Sequence, residues 1–227
     1  LSIFAPIIPY LDLVKYLGRA VIFPLGTFIG ALVACGGIPP LLPTVAAIIV
    51  MYLVALYAYV YNDVQDIEID RINSRDRALP SGRASKGQAM KLVIVTAVSA
   101  LTIALLLDQR VFALVCFGLV LGYIYSTPPL SLKNRFLLKQ TTSSLWAAFA
   151  SLGGGIAASG QTTGTTLYAA ILFFAYGMAF SPIADIGDIA GDRAAGKRTV
   201  AVVMGPRFTV KMGAMIILSF AAVTALV

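Results

Sequence analysis

Two stretches of the chain repeat one pattern of charge. The first is Asp63, Asp66, Asp70, Arg71 and Arg75; the second is Asp185, Asp188, Asp192, Arg193 and Lys197. Each residue of the second stands 122 positions after its counterpart, from 63 and 185 to 75 and 197. The spacing i, i+3, i+7 places three carboxylates on one helix face. So crowded, they repel one another and lose hydration near a bilayer. Mg²⁺ removes both problems, since it takes one or two carboxylates and fills its octahedron with water and phosphate oxygens. Two such strings facing each other would hold a diphosphate between metal ions, with Asn62 as an added neutral oxygen ligand. Cations trail both strings: Arg71, Arg75 and Arg77 after the first, Arg193, Lys197 and Arg198 after the second. Guanidinium forks suit phosphate oxygens, and metal with guanidinium stabilises a departing diphosphate. A single acidic string at a membrane is ordinarily a solvated helix end. Two in register, each with the same basic trailer, favour a cation site. Glu68 and Asp76 stand off the repeat and read as solvated or paired.

The elements that must position these groups are apolar. The chain has 227 residues, 59% hydrophobic and 12% charged, with a mean hydropathy of +0.89. A bilayer-spanning helix needs roughly 20 mostly apolar residues, and seven stretches qualify: about 9–34, 41–62, 87–107, 110–126, 141–160, 166–184 and 207–227. The expected fold is all-α, a polytopic transmembrane helix bundle. Each acidic string follows a span directly and should extend that helix past the membrane. Residues 1–9 lack a basic region ahead of an apolar one, so no cleavable signal peptide is expected.

Charge sets the orientation. The net charge is +7, but Lys15, Arg19 and the basic runs at 71–91, 133–139 and 193–211 would all lie at one face, with Arg110 alone elsewhere. The positive-inside rule makes that face cytoplasmic, and the acidic strings with it. The basic excess is therefore a topology signal, and no nucleic-acid partner is expected. Histidine is absent, which excludes Ser-His-Asp hydrolysis, HExxH zinc sites and imidazole acid–base chemistry. Cys35 and Cys116 stand alone in apolar runs and read as small core residues.

The offset of 122 implies a four-helix unit in tandem, about 1–126 and about 127–227, within one membrane-embedded domain. A full second copy would reach about residue 250, so the second unit is incomplete at its C-terminal end. The connections rich in turn formers, such as Gly36-Gly37-Ile38-Pro39-Pro40, fall opposite the acidic face. The basic-side loops are longer and polar, where function usually resides. In one of them Ser85 and Gln88 fit a capping box opening the third long helix. The run Tyr125-Ser126-Thr127-Pro128-Pro129-Leu130-Ser131-Leu132-Lys133 ends the fourth with a double proline and brings Lys133 beside the acids. Among the aromatics Tyr57, Tyr61, Tyr123, Tyr125, Phe173, Phe174, Tyr176 and Phe180, those lining a cavity could stabilise a carbocation through the ring face. Gly153-Gly154-Gly155 reads as a site of close helix packing.

These motifs resemble those of the UbiA superfamily of intramembrane prenyltransferases. The family pattern NDxxDxxxD matches Asn62, Asp63, Asp66 and Asp70, and its second string matches Asp185, Asp188, Gly191, Asp192, Gly196 and Thr199. Asp76 to Gly82 resembles the family's DRPxPSG with Ala78 in place of Pro, and Tyr125 to Lys133 matches YSxPPLxLK. The resemblance implies a bundle of nine helices, Mg²⁺ and a prenyl diphosphate that ionises to an allylic cation captured by a lipophilic acceptor. Asn62, Asp66 and Asp70 would then ligate one Mg²⁺, and Asp188 and Asp192 another. Lys133, Arg77 and Lys197 would hold the diphosphate, with Lys133 acting also in catalysis and Tyr125 beside the substrate. Asp63 or Asp185 would orient or deprotonate the acceptor. Arg19 stands where the family often has an Arg-Pro pair, though Ala20 follows it. The second string and the Pro80-Ser81-Gly82-Arg83-Ala84-Ser85 loop resemble the archaeal ether-lipid branch and the chlorophyll and homogentisate branches more than the 4-hydroxybenzoate branch. The expected donor is geranylgeranyl diphosphate and the favoured acceptor geranylgeranylglyceryl phosphate; an aromatic quinone or chlorophyll precursor is the alternative. A CDP-alcohol phosphotransferase would need DGxxAR ahead of its acids, which is missing. A cation-coupled transporter would place its acids near the midplane, not at helix ends.

Overall fold

The computed structural model describes residues 7–15, 18–72 and 76–225, all helix and connecting turns. Eleven α-helices occur among them: α1 (Ile8–Lys15), α2 (Ile22–Cys35), α3 (Leu41–Gln65), α4 (Ile67–Ile72), α5 (Lys86–Leu107), α6 (Gln109–Ser126), α7 (Leu138–Ser159), α8 (Gly164–Ala184), α9 (Ile189–Ala194), α10 (Val200–Met204) and α11 (Pro206–Ala225). Short 3₁₀ turns at Gly18–Val21, Leu132–Asn134 and Asp185–Asp188 join some of them.

Five helical stretches are long and apolar enough to cross a membrane: α3, α5, α6, α8 with its continuation to Ala194, and α11. The expected count of seven spans therefore needs two corrections. The first, 9–34, is not one helix but α1, a 3₁₀ turn and a 14-residue α2. Gly18 lowers helix preference at the break, and Pro24 sits in the first turn of α2, where its missing N–H costs nothing. The span expected at 141–160 is a 22-residue helix, α7, with a polar first half. Its Gln140, Thr142, Ser144 and Ser151 are buried among the other helices rather than turned to lipid.

The architecture follows from which faces can be closed. α3 lies at the centre, against α2, α5, α6 and α7, and α7 packs in turn on α2 and α8. Val50, Met51 and Val54 of α3 form one buried cluster with Ala100 and Ala104 of α5 and Val111 and Val115 of α6. Nearer the acids, Leu56, Val60 and Val64 pack with Ala78, Leu79 and Ala84, so the loop before α5 folds back over the end of α3. The outward faces carry bare apolar side chains such as Leu42, Leu106 and Leu218, as lipid contact allows.

Small residues let α2 and α7 touch backbone to backbone. A Cβ on Gly154 would overlap the Thr27 carbonyl, and one on Gly30 the Ser151 carbonyl. The glycine triplet is the close-packing site its composition suggests. The capping box also forms: the Ser85 side chain accepts from the Gln88 N–H, and the Ser85 N–H donates to Gln88 Oε1 at 2.8 Å. The cysteines differ from expectation. Cys35 is exposed at the end of α2 and Cys116 is only partly buried on α6, because both occupy positions facing away from the helix contacts.

Candidate active site

The acidic strings do not simply prolong their helices. α3 stops at Gln65, Asp66 takes φ −102°, ψ 9°, and α4 resumes at Ile67. In the second string a 3₁₀ turn covers Asp185–Asp188, Asp188 takes φ −102°, ψ 3°, and α9 follows. Equivalent residues thus break the helix with the same dihedrals, in the sparsely populated bridge region where many active-site residues sit. The expectation of continuous helix is corrected at this point. The break changes the path of the chain yet keeps Asp66 and Asp70 on the same cavity.

That cavity measures about 720 Å³ and opens among α2, α3, α6, α7 and α8. Asn62, Asp66 and Asp70 lie on its wall on one side; Asp185, Asp188 and Asp192 lie on it on the other. Arg77, Tyr125, Lys133 and Lys197 also line it. Asp63 does not. It stands one residue from Asn62, about 100° around the helix, and its carboxylate accepts from Arg77 Nη1 at 2.5 Å. Arg19 belongs to the 3₁₀ turn Gly18–Val21, but its side chain, like the whole of Arg75, lies outside the described residues.

The wall carboxylates hold the wall cations. Arg77 Nη1 donates also to Asp70 Oδ2 at 2.7 Å, Lys133 Nζ to Asp66 Oδ1 at 2.7 Å, and Lys197 Nζ lies 3.1 Å from Asp192 Oδ1. The Asn62 amide suits its surroundings with Oδ1 toward Lys133 Nζ (2.9 Å) and Ser126 Oγ (3.1 Å), and Nδ2 toward Asp66 Oδ2 (3.3 Å). Lys133 is buried in the turn after the double proline, just past Ser131, whose φ of 36° is left-handed. A side chain pays a steric cost there that flanking structure must hold in place. Desolvation pushes the Lys133 ammonium below the usual lysine range, and the neighbouring Asp66 charge acts in the opposite direction.

Two polar residues on the site carry no counterpart in the repeat. Lys139 lines the cavity and donates to Asp185 Oδ1, and the fully buried Gln140 donates through Nε2 to Asp185 Oδ2 at 3.0 Å. They open α7, and 122 positions earlier stand Leu17 and Gly18, so the duplication gives no hint of them. The signal available was a Lys-Gln pair opening the polar first half of a helix whose second half is apolar.

The aromatics divide. Tyr125, Tyr176 and Phe180 line the cavity, together with Phe23, Tyr59 and Trp146. Tyr57 and Tyr61 stack at 6.1 Å, Tyr123 stacks on Tyr61 at 5.8 Å, and Tyr61 shares a 2.7 Å hydrogen bond with Thr127. Those three, with Phe173 and Phe174, stand off the cavity wall.

Charge of both signs gathers at one end of a largely apolar hollow inside a bundle of apolar helices, the arrangement of a multi-pass integral membrane protein. The chain belongs to the UbiA prenyltransferase family, whose sequence profile matches residues 23–227. It is 35% identical over 162 residues to a digeranylgeranylglyceryl phosphate synthase of Sulfolobus acidocaldarius, covering 71% of this chain and 58% of that protein. It is 33% identical over 158 residues to the chloroplastic chlorophyll synthase of Arabidopsis thaliana, covering 66% and 40%. The fold matches a UbiA homologue from Archaeoglobus fulgidus solved with DMAPP and Mg²⁺, with a TM-score of 0.79 at 20% identity over 96% of this chain and 78% of that one. The chain thus spans little more than half the length of the Sulfolobus relative.

Proposed function

We propose that this protein transfers a prenyl group from a prenyl diphosphate to a lipophilic acceptor within the membrane, with Mg²⁺ at the acidic strings. One observation carries the reading: acids 122 residues apart line one cavity whose remaining wall is largely apolar and aromatic. A pocket of this size fits a long, mostly apolar ligand with a few fixed polar contacts.

The donor set suits the metal. Asn62, Asp66 and Asp70 on one side, and Asp188 and Asp192 on the other, offer oxygen ligands only. Among the described residues no three carboxylates converge into a ready-made cage. That agrees with Mg²⁺, which binds through one or two carboxylates and shares its remaining positions with water and phosphate. Bound there, it would neutralise the diphosphate and make it a better leaving group. Arg77, Lys133 and Lys197, which line the same cavity, would bind the same phosphate oxygens as charge develops on them. The allylic C–O bond breaks with its electron pair passing to the diphosphate. Tyr59, Tyr125, Tyr176 and Trp146 present rings from the wall to the resulting cation. The acceptor hydroxyl forms the new C–O bond and loses its proton to Asp185, the string's first aspartate that does reach the cavity. Lys139 and Gln140 fix that carboxylate's orientation.

Geranylgeranyl diphosphate is the favoured donor and geranylgeranylglyceryl phosphate the favoured acceptor, in line with the archaeal synthase above. The chlorophyll synthase similarity supports an aromatic or chlorophyll-type acceptor as the second reading. The strings and their basic trailers face the cytoplasm, by the distribution of Lys and Arg.

The test is diphosphate release by the purified chain with geranylgeranyl diphosphate, Mg²⁺ and each acceptor. Asp66→Asn and Asp188→Asn are each expected to lower release by about 100-fold or more. Full turnover in EDTA, or in either variant, would overturn the mechanism.

A further inference from the structure

Among the described residues, Arg77, Lys133, Lys139 and Lys197 are the cations on the cavity wall. Three of them hold acids of the proposed metal set: Arg77 holds Asp70, Lys133 holds Asp66 and Lys197 holds Asp192. Lys139 instead holds Asp185, the wall acid outside that set. The two copies of the repeat have diverged at this position. Asp63, the counterpart of Asp185, stands off the cavity and anchors Arg77. Asp185 reaches the cavity and is joined there by Lys139, which has no cationic counterpart in the first copy.

Both oxygens of Asp185 are held, and one of the two holders has donors to spare. Gln140, wholly buried, donates through Nε2 to Oδ2 at 3.0 Å, while its own Oε1 has no hydrogen-bond partner among the described residues. A buried amide oxygen without a partner is costly, so this amide is committed to the carboxylate. Lys139 donates to Oδ1. An ammonium carries three donors, and no further acceptor for this one occurs among the described residues. The Lys139 side chain is 18% exposed on the cavity wall. Ser143, one turn further along α7, and Ser181, one turn before Asp185 on α8, extend the same polar strip.

We propose that Lys139 recognises an anion carried by the acceptor itself, next to the hydroxyl that Asp185 deprotonates. This rests on the function proposed above. A carboxylate with an ammonium beside it complements a hydroxyl with an anion beside it: the hydroxyl donates to Asp185 and the anion accepts from Lys139. A phosphate ester one carbon away from the attacking hydroxyl, as on a glycerol backbone, has that arrangement. The diphosphate of the donor is met elsewhere, by Arg77, Lys133 and Lys197 beside the metal-binding acids. Lys139 is thus a specificity-determining residue that favours phosphorylated alcohols over neutral ones. An acceptor lacking the anion leaves the spare N–H groups unpaired, and sites built to hydrogen-bond a group reject analogues without it.

The test measures diphosphate release from geranylgeranyl diphosphate with Mg²⁺ and one of three acceptors: geranylgeranylglyceryl phosphate, its dephosphorylated alcohol, or an aromatic quinone precursor. The readout is the ratio of kcat/KM for the phosphorylated over the neutral alcohol in one preparation, so that loss of folded protein cancels. The unsubstituted protein is expected to prefer the phosphorylated acceptor. Lys139→Met and Lys139→Gln, the second of which can still donate to Asp185, should each lower that preference by about tenfold or more, the scale of one hydrogen bond to a charged group. Lys139→Arg, which keeps the charge, should retain most of it. An equal loss with both alcohols, total loss included, would make Lys139 only a holder of Asp185 and overturn the recognition. So would a rise in KM for geranylgeranyl diphosphate in place of a lowered preference, or no preference in the unsubstituted protein. Release with the aromatic acceptor alone would overturn the recognition and leave prenyl transfer standing. Release with none of the three would overturn the transfer itself, and the recognition with it.

Discussion

Arg77 holds two buried carboxylates of the first string with a single nitrogen, at 2.5 Å from Asp63 and 2.7 Å from Asp70. Only one of those acids faces the cavity. Asp63 therefore anchors Arg77, and Arg77 aims at the site. Truncation removes a cation from two acids that water scarcely reaches, and breaking a buried pair costs about 3 kcal/mol or more. Arg77→Ala is accordingly expected to lower the thermal midpoint in detergent as well as diphosphate release. Asp63→Asn should weaken release less than Asp66→Asn, since it loosens a holder rather than removing a wall carboxylate. Parallel melting and turnover measurements on these variants separate the two roles. At this scale the sequence was most informative where the repeat speaks. Asp66, Asp70, Asp185, Asp188 and Asp192 were all marked by spacing, and all reach one cavity, as does their neighbour Asn62. Lys139 and Gln140 were not, because a contact across the bundle leaves no periodic trace.

The helices show the same division between local rules and tertiary ones. The glycine triplet marked α7 as a close-packing helix without naming α2 as its partner, and the Ser85 capping box follows from short-range chemistry and was readable from spacing. The breaks at Asp66 and Asp188 were not, because an i, i+3, i+7 pattern fits a broken helix as well as an unbroken one. Nor was the burial of the polar half of α7, which depends on the neighbours surrounding it. The α2–α7 contact is expected to be intolerant of any side chain. Gly154→Leu would drive apart two backbones in contact, and overpacking of this kind costs typically 1–3 kcal/mol or more; a melt in detergent against a lipid-facing Leu106→Ala control measures it. The turn between α5 and α6 gives a pH-dependent case. Asp108 accepts from the Arg110 backbone N–H as N-cap and from its guanidinium, and that side-chain hydrogen bond holds the carboxyl below its ordinary range. Its folded value being the lower one, the stabilisation is complete above the unfolded value of about 3.9 and fades as pH falls through the folded value. Asp108→Ala should cost about 1 kcal/mol at neutral pH. The gap between variant and parent should close in acid, which a pH series of unfolding curves would show.

Across the whole molecule, the wall acids are already partnered before any substrate arrives: Asp66 by Lys133, Asp70 by Arg77, Asp185 by Lys139 and Asp192 by Lys197. These ammonium and guanidinium groups serve as stand-ins, keeping the hollow from presenting naked negative charge to its greasy surroundings. The bundle is consequently expected to hold its shape without an ion. Chelation should silence turnover while shifting the melting midpoint by no more than a degree or two (~1 kcal/mol moves it by only a few degrees in a chain of this size). A collapse of the fold in EDTA would mean that the lysines cannot keep the acids apart unaided. It follows too that a lysine set free when its carboxylate turns elsewhere is delivered, charge intact, to whatever anion has just come in.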